Sequence, residues 1–567
     1  MGAYNRILVF TAVFILILSV IPMSLGEEGE GALAQWTFMV YLDCDNNLEQ
    51  AGIEDINEME AVGSTDDVNI IVQMDRCATD GYDESNGDWT GAKRFYVTKD
   101  EDENTIGSDE IEDLDEVNMG DPQTLVQFVK WTIDNYPAEK YALVLWNHGG
   151  AFWGVCWDED DDEDCLTMPE LKCALENIED YLGRDLDLIG FDACLMAQMA
   201  VMYQIRNSVD YAVASGYTEP NDGWPYKKIL PYLVSNPQMG PVELGTVIAN
   251  EYVESYTDWE SDPEDTLAIT QAVFDLEKFD ELAYQINFLS MVLSTKAGYA
   301  FEGGHNGQIW LARDDTNSYD YGTQYLPGNN APIDPTGYCM YDVIHLMENL
   351  PEKILLDSEI RSAAEAVKTV ANEAIVYFAV DEPHEQKGAH GLTIYFPDGE
   401  YTFYDGDFDE LDFAQDIYWD DFLHYFHNTE NAQDTPPGVF ITTPVDDDVI
   451  DLGKNNKIRI QGTAFDVQDQ VSLIEIKIDD GEWIPVGAST QWNHELSSSG
   501  LENGNHIIYA RSFDGKEYSA EDSVEFSIIG SGSKSDETLS PLIILLLIVI
   551  AIAVLSGLFF YKKRKSS

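Results

Sequence analysis

The chain has 567 residues, too many for one ordinary domain, so at least two are expected, one of them with a large core. Its 30 basic and 105 acidic residues leave a net charge of −75, which repels nucleic-acid phosphates and provides no basic stripe to hold them, so DNA and RNA are excluded as partners. A hydrophobic content of 44% with 12% aromatic residues is that of a globular chain, so the acidity decorates folded surfaces.

Residues 1–26 carry Arg6, an apolar run from Ile7 to Ile21 and the small residues of MSLG before GEEGE, the pattern of a secretory signal peptide. From Trp36 to about Asn428, short apolar runs alternate with helix-period segments, as in strands joined by crossover helices. FMVYLD (38–43), VNIIVQM (68–74), YALVLW (141–146), LDLIGF (186–191) and YAVAS (211–215) read as strands of a mostly parallel sheet. Asn47–Val62 and Pro122–Asn135 read as helices, the first capped by Asp45 and the second by Asp121 with Pro122 at the first helical position. GLTIYFP (391–397) suggests that the sheet continues late in the chain, and the fold class is α/β.

The pattern changes at a linker, TENAQDTPP (429–437). From Val439 to Ile529 about seven short alternating runs follow, among them KIRIQGTAF, LIEIKID, HIIYARSF and SVEFSII, with hairpin signals at Asp480-Gly481 and Asp514-Gly515. An all-β immunoglobulin-like sandwich without a disulfide is expected over 438–530, acting as a spacer. GSGSKSDETLS then reads as a flexible stalk up to residue 540. No charge interrupts Leu542 to Phe560, whose 19 residues at about 1.5 Å each span roughly 28 Å, so one transmembrane helix is expected over 541–561. The basic tail at 562–567 should stay cytoplasmic, which predicts a single-pass protein of the cell membrane with residues 27–540 outside. Between the two ends 105 acids face 25 bases, about −80, which points to a high-salt habitat or an acidic medium ahead of any particular partner.

In open parallel sheets functional groups gather where strands end at their carboxyl side. YALVLW runs into Asn147-His148-Gly149-Gly150, and LDLIGF runs into Asp192-Ala193-Cys194-Leu195. If those strands are neighbours, His148 and Cys194 share one rim, and an imidazole there can activate a thiol that attacks a carbonyl. The amides of Gly149 and Cys194 are candidates for an oxyanion hole.

These two segments, with WTFMVYLDCDNNLE, VNMGDPQTLVQFVKW and GLTIYFP, resemble the clostripain-like group of clan CD cysteine peptidases over about residues 36–428. The resemblance implies a caspase-like sheet flanked by helices, a His/Cys dyad at His148 and Cys194, and cleavage of protein or peptide substrates after Arg or Lys. It also implies carboxylates in the pocket for that basic side chain: Asp192 by its place two residues before the cysteine, and a second acid from SGYTEPNDGWPY (215–226), with Asp222 preferred and Glu219 in reserve. Some members of the group cut themselves after a basic residue between His and Cys. Residues 151–171 contain no Lys or Arg, so self-cleavage in that loop is not expected. Two other readings use the same residues: a non-catalytic surface adhesion protein on this fold, and a cysteine transpeptidase.

Seven cysteines leave one unpaired if the rest are bridged outside the cell, and Cys44 and Cys77 follow neighbouring strands, which makes them a plausible bridge. No His/Cys set has zinc spacing. Calcium is the one cofactor to consider, since the group sometimes requires it: the run 158–164 (DEDDDED) offers oxygens but is expected to be a solvated loop, and DCDNN (43–47) lacks the Gly and distal Glu of a calcium loop.

Overall fold

Ten of the eleven residues of β1 (Ala34–Cys44) are buried, which requires a strand covered on both faces. It lies inside a nine-stranded sheet formed with β2 (Val68–Arg76), β3 (Lys93–Tyr96), β4 (Asp109–Asp113) and β5 (Ala138–Trp146). A small hairpin, β6 (Val155–Asp158) and β7 (Asp164–Leu166), precedes β8 (Leu186–Asp192), β9 (Val209–Ala214) and β10 (Thr270–Asp275). β11 (Met340–Asp342), β12 (Ile375–Val380) and β13 (Thr393–Tyr395) follow. The sheet order is β12-β10-β9-β8-β5-β1-β2-β3-β4. The five inner strands from β9 to β2 are parallel, and the outer strands on both sides are antiparallel. The computed structural model describes residues 33–529 except 78–84, 88, 103, 258–268, 296–307, 317–338, 355–356, 382–387, 398–407, 428–436, 446–447, 453–456, 466–470, 480, 490, 499–500, 502 and 520.

Helices α1 (Glu49–Glu60), α2 (Pro122–Asn135), α3 (Met168–Leu182), α4 (Met199–Ile205), α5 (Tyr226–Ser235) and α6 (Pro241–Ser255) flank the sheet. Alternate residues of β1, Trp36, Phe38, Val40 and Leu42, share one core with Ile53, Ile56 and Met59 of α1, Leu230 and Leu233 of α5 and Leu244 and Ile248 of α6. The intervening residues face the other side, where the Tyr41 ring lies 6.0 Å from Phe128 of α2. Asp121 caps α2 by accepting the Gln123 amide, with Pro122 in the first turn. Asp45 does not cap α1: the helix starts at Glu49, and Asn46 Oδ1 accepts the Leu48 amide at 2.9 Å.

Two further expectations are corrected. The late strand of the sheet is β12, antiparallel to β10, whereas β13 within GLTIYFP pairs with β11 in a separate two-stranded sheet. The aromatic side chains of that segment pull it away from the main sheet, Phe396 packing edge-on against Trp419 and Phe422. None of the seven cysteines is disulfide-bonded, so Cys44 and Cys77 form no bridge. Cys44 stands in register with Arg76, so strand alternation turns Cys77 to the opposite face.

The chain divides into Met1–His427 and Asn428–Ser567. In the second unit β14 (Gly438–Thr443), β15 (Val449–Asp451), β16 (Lys457–Phe465), β17 (Leu473–Ile478), β18 (Ile484–Gly487), β19 (Gln491–Ser497), β20 (Gly504–Phe513) and β21 (Asp522–Ile529) form two sheets, β14-β16-β19 and β15-β21-β20-β17-β18. Ile458, Ile460, Ile474, Ile476, Trp492, Ile508 and Phe526 fill the space between them, as in a β-sandwich.

The expected signal peptide, stalk, transmembrane helix and basic tail, Asp480, and all but the last residue of the expected linker lie outside the described residues. The membrane expectation is corrected: among the described residues no helix is long and apolar enough to cross a membrane.

Candidate active site

β5 and β8 are neighbours in the sheet, with Trp146 in register with Asp192. The chain segments that leave them therefore start side by side, and the Asn147 amide donates to the Asp192 carbonyl at 3.3 Å. His148-Gly149 and Cys194 emerge on this shared rim. The approach is so close that a Cβ on Gly149 would sit 2.2 Å from the Cys194 carbonyl oxygen and 2.9 Å from its amide nitrogen, so only glycine fits. Leu195 is held in the left-handed region at φ 66°, an uncommon conformation for a non-glycine residue, and its amide donates to the Tyr217 carbonyl at 2.9 Å.

His148 and Cys194 are both half-buried. His148 Nε2 lies 2.7 Å from Asn47 Oδ1; an amide oxygen only accepts, so Nε2 carries the proton and Nδ1 is the basic nitrogen. Cys194 Sγ accepts the Glu219 amide at 3.1 Å. Burial holds the His148 imidazole below its ordinary range and pushes the Cys194 thiol above its own. Both shifts favour the uncharged form of their group. Among the described residues the amides of Gly149 and Cys194 make no hydrogen bond to another residue.

Beneath this rim acids collect. Asp192 is buried, and its carboxylate accepts the Tyr226 hydroxyl at 2.8 Å and the Trp224 amide at 3.1 and 3.2 Å. Glu219 Oε1 accepts the Gln271 side-chain amide at 2.7 Å. Asp222 is exposed at the turn ahead of Gly223, outside this buried group. A third acid was not singled out from the sequence: Asp55 on α1 is 3% exposed, accepts the Trp146 indole N–H at 2.7 Å, and faces the same Gly223 as Asp192. Desolvation raises Asp55, Asp192 and Glu219 above the usual carboxylate range; the charge of Asp192 pushes Asp55 and Glu219 further up, while a hydrogen bond between Glu219 and Asp192 opposes the rise of Asp192.

A family model described as the clostripain family matches residues 40–426, more than half of the chain. The chain belongs to the clostripain family. It is a cysteine peptidase. A clostripain from Hathewaya histolytica is 26% identical over 422 residues, which covers 64% of this chain and 75% of the relative. The solved structure of a secreted C11 cysteine protease from Bacteroides thetaiotaomicron with an irreversible peptide inhibitor covers 69% of this chain and 99% of its own. Its TM-score of 0.50 at 20% identity is a likeness of fold. Residues 437–510 match a model described as a bacterial Ig domain. Two findings stand against the expected single-pass cell-membrane localisation: among the described residues no helix is long and apolar enough to cross a membrane, and the Bacteroides thetaiotaomicron protease is described as secreted.

In this clostripain-family chain the sequence left two contacts of the rim unread, Asn47 and Asp55. Asn47 sat inside a stretch taken for helix. A signal for Asp55 was present, since it stands between Ile53 and Ile56 on the apolar face of α1, where an acid has no reason to be unless it meets a partner.

Proposed function

We propose that the chain is an endopeptidase cutting after Arg or Lys, with Cys194 as nucleophile and His148 as its proton carrier. The observation that carries this reading is the contact of Gly149 with the Cys194 backbone at the ends of β5 and β8, which brings an imidazole, a thiol and two unengaged amides to one half-open rim. Cys194 Sγ bonds to the scissile carbonyl carbon while its proton passes to His148. The amides of Gly149 and Cys194 receive the oxyanion, a role for which preformed backbone donors are worth about 10²–10³ in rate each. As the C–N bond breaks, His148 gives the proton to the leaving amine, and water then hydrolyses the thioester. Because burial favours the uncharged form of both groups, proton transfer accompanies attack, as in general-base catalysis.

The preference for a basic side chain is supported by the buried acids. Asp192 and Asp55 meet at Gly223 with Glu219 nearby, and a guanidinium or ammonium entering there exchanges its water for charge-assisted acceptors. Asp222, exposed at the turn, is assigned to the mouth of the pocket and Glu219 to its wall.

The test is hydrolysis of fluorogenic peptides bearing Arg, Lys, Asp or Asn before the scissile bond. Turnover of the Arg and Lys peptides is expected, with loss of at least about 10³-fold in Cys194→Ala and His148→Ala. Equal turnover by Cys194→Ala would remove the nucleophile, and cleavage confined to the Asp peptide would remove the pocket.

A further inference from the structure

The loop that follows the imidazole presents a surface that the chemistry proposed above leaves unused. Gly149 pairs with Val155, and on either side of that pair the Cys156 amide donates to the His148 carbonyl at 3.4 Å and the Gly150 amide to the Gly154 carbonyl at 3.0 Å. This closes residues 150–154 into a tight loop in which Ala151 takes φ 54°, an uncommon value for a residue with a Cβ. The two glycines face different neighbours. A Cβ on Gly149 would meet Cys194, whereas one on Gly150 would lie 2.8 Å from the Trp157 ring and 3.6 Å from the Trp153 Cβ. Alternation along the chain puts His148 on the Gly150 side, so the imidazole shares a face with the Trp157 ring and with Trp153 beside it.

Both tryptophans are half-buried, and both are held in place. The Trp153 ring stacks at 4.2 Å and 29° on Phe152, which is itself buried and packs edge-on against Tyr395 and Phe408. Trp157 follows a register shift at Cys156, a β-bulge with φ 60°, and its carbonyl accepts from the side chains of Asn46 at 3.3 Å and Asn147 at 3.0 Å. Bulges of this kind re-aim side chains beside active sites. A half-open indole on a fixed backbone offers a broad apolar surface and loses little conformational freedom when that surface is covered. Glu159 is exposed two positions beyond Trp157, and its charge acts on His148. The run 158–164, DEDDDED, carries the chain from β6 to β7, so the indoles border strong negative charge.

We propose that Trp157, flanked by Trp153, receives the side chain of the residue that follows the scissile bond, and that this residue is apolar. The inference rests on the assignment of Cys194 and His148 made above. His148 gives its proton to the leaving amine, so the residue that carries this amine lies against the His148 face. That face holds the indoles, while the acids beneath the rim take the residue before the bond. An apolar side chain set on an indole removes both surfaces from water, whereas an acidic one meets the repulsion of Glu159 and the run it belongs to. The preferred sequence thus has two parts, a basic residue before the bond and an apolar one after it.

The test uses the full chain and internally quenched peptides that share Arg before the bond and carry Leu, Gly or Asp after it, beside a peptidyl-Arg methyl ester whose leaving methanol is too small to cover an indole. The Leu peptide should exceed the Gly peptide in kcat/KM by about tenfold or more, as one apolar group in a fitted pocket does, and the Asp peptide should fall below the Gly peptide. In Trp157→Ala the Leu-to-Gly ratio should drop to within about twofold of unity. A merely structural role would lower both peptides together and keep the ratio. Trp153→Ala, at the flank, should lower the ratio by about threefold, and it decides the matter if Trp157→Ala does not fold. The subsite is overturned if the parent hydrolyses the Leu and Gly peptides alike, or if the full ratio survives in the variant that decides. The ester separates this failure from that of the reading beneath it: ester hydrolysis without a Leu preference removes the subsite alone, and an inert ester removes the nucleophile with it.

Discussion

Burial pushes the Asp192 carboxyl up to about 7, against the hydrogen bonds from Tyr226 and Trp224 that favour its ionised form. A carboxyl raised in this way keeps its proton in the fold at a pH where the unfolded chain has released it. Its contribution to stability is therefore complete below the ordinary range near 4 and is lost as the pH rises through about 7. A basic ligand reverses the preference, because a guanidinium binds the ionised acid. Benzamidine, which meets the pocket without the dyad, should consequently inhibit better as the pH rises from 5 to 7, by up to about tenfold per unit, and then level off. Asp192→Asn should bind it weakly and without that slope; a flat profile in the parent would count against Asp192 as the pocket acid. How legible such a residue was depended on how local its signal was. Asp192 was readable because it stands at a fixed step from Cys194. Asp55 reaches the same Gly223 from α1, more than 130 positions away in the chain, and only the packing of α1 on β5 through Trp146 brings it there.

At the level of strands and helices, the crossing of two chain segments makes the rim. β5 and β8 are legible because strands covered on both faces must be apolar almost throughout, and Tyr141–Trp146 and Leu186–Phe191 are. β12 was missed for a different reason: its six residues, Ile375–Val380, are all apolar, but the strand follows directly on the helix Ser358–Ala374 with no turn residue between them to mark its start. β13 was placed in the wrong sheet because three buried residues carry no record of which partner they pair with. The close passage of Gly149 over Cys194 follows from adjacency of β5 and β8, and it gives the rim its sharpest prediction. In Gly149→Ala the new Cβ would fall 2.2 Å from the Cys194 carbonyl oxygen, and backbone must move to relieve it. Since a displacement of 1 Å at reacting groups costs about 10²-fold, kcat/KM for an Arg peptide should fall by about that much or more. Benzamidine binding should persist, because the acids below the rim are untouched. Full activity in Gly149→Ala would mean that the segments are farther apart in solution than the structure places them.

For the molecule as a whole, two units each hold an apolar core of their own, one between the large sheet and its helices and one between the two sheets of the sandwich. Separate cores give separate cooperative transitions, so heating should show two, rather than the single one of a small two-state domain. Trp492 provides the means to tell them apart. It is 4% exposed, and its ring lies where a Cβ on Gly462 would fall, 2.1 Å from the indole, so it packs flat against β16 with no spare volume. Trp492→Ala leaves a cavity that should cost the sandwich about 3–5 kcal/mol. In calorimetry one transition should move down by many degrees while the other stays within about a degree, and turnover of an Arg peptide should be unchanged at temperatures below both. If both transitions move together, the two cores are thermodynamically one, and the sandwich contributes to the stability of the peptidase rather than standing apart from it.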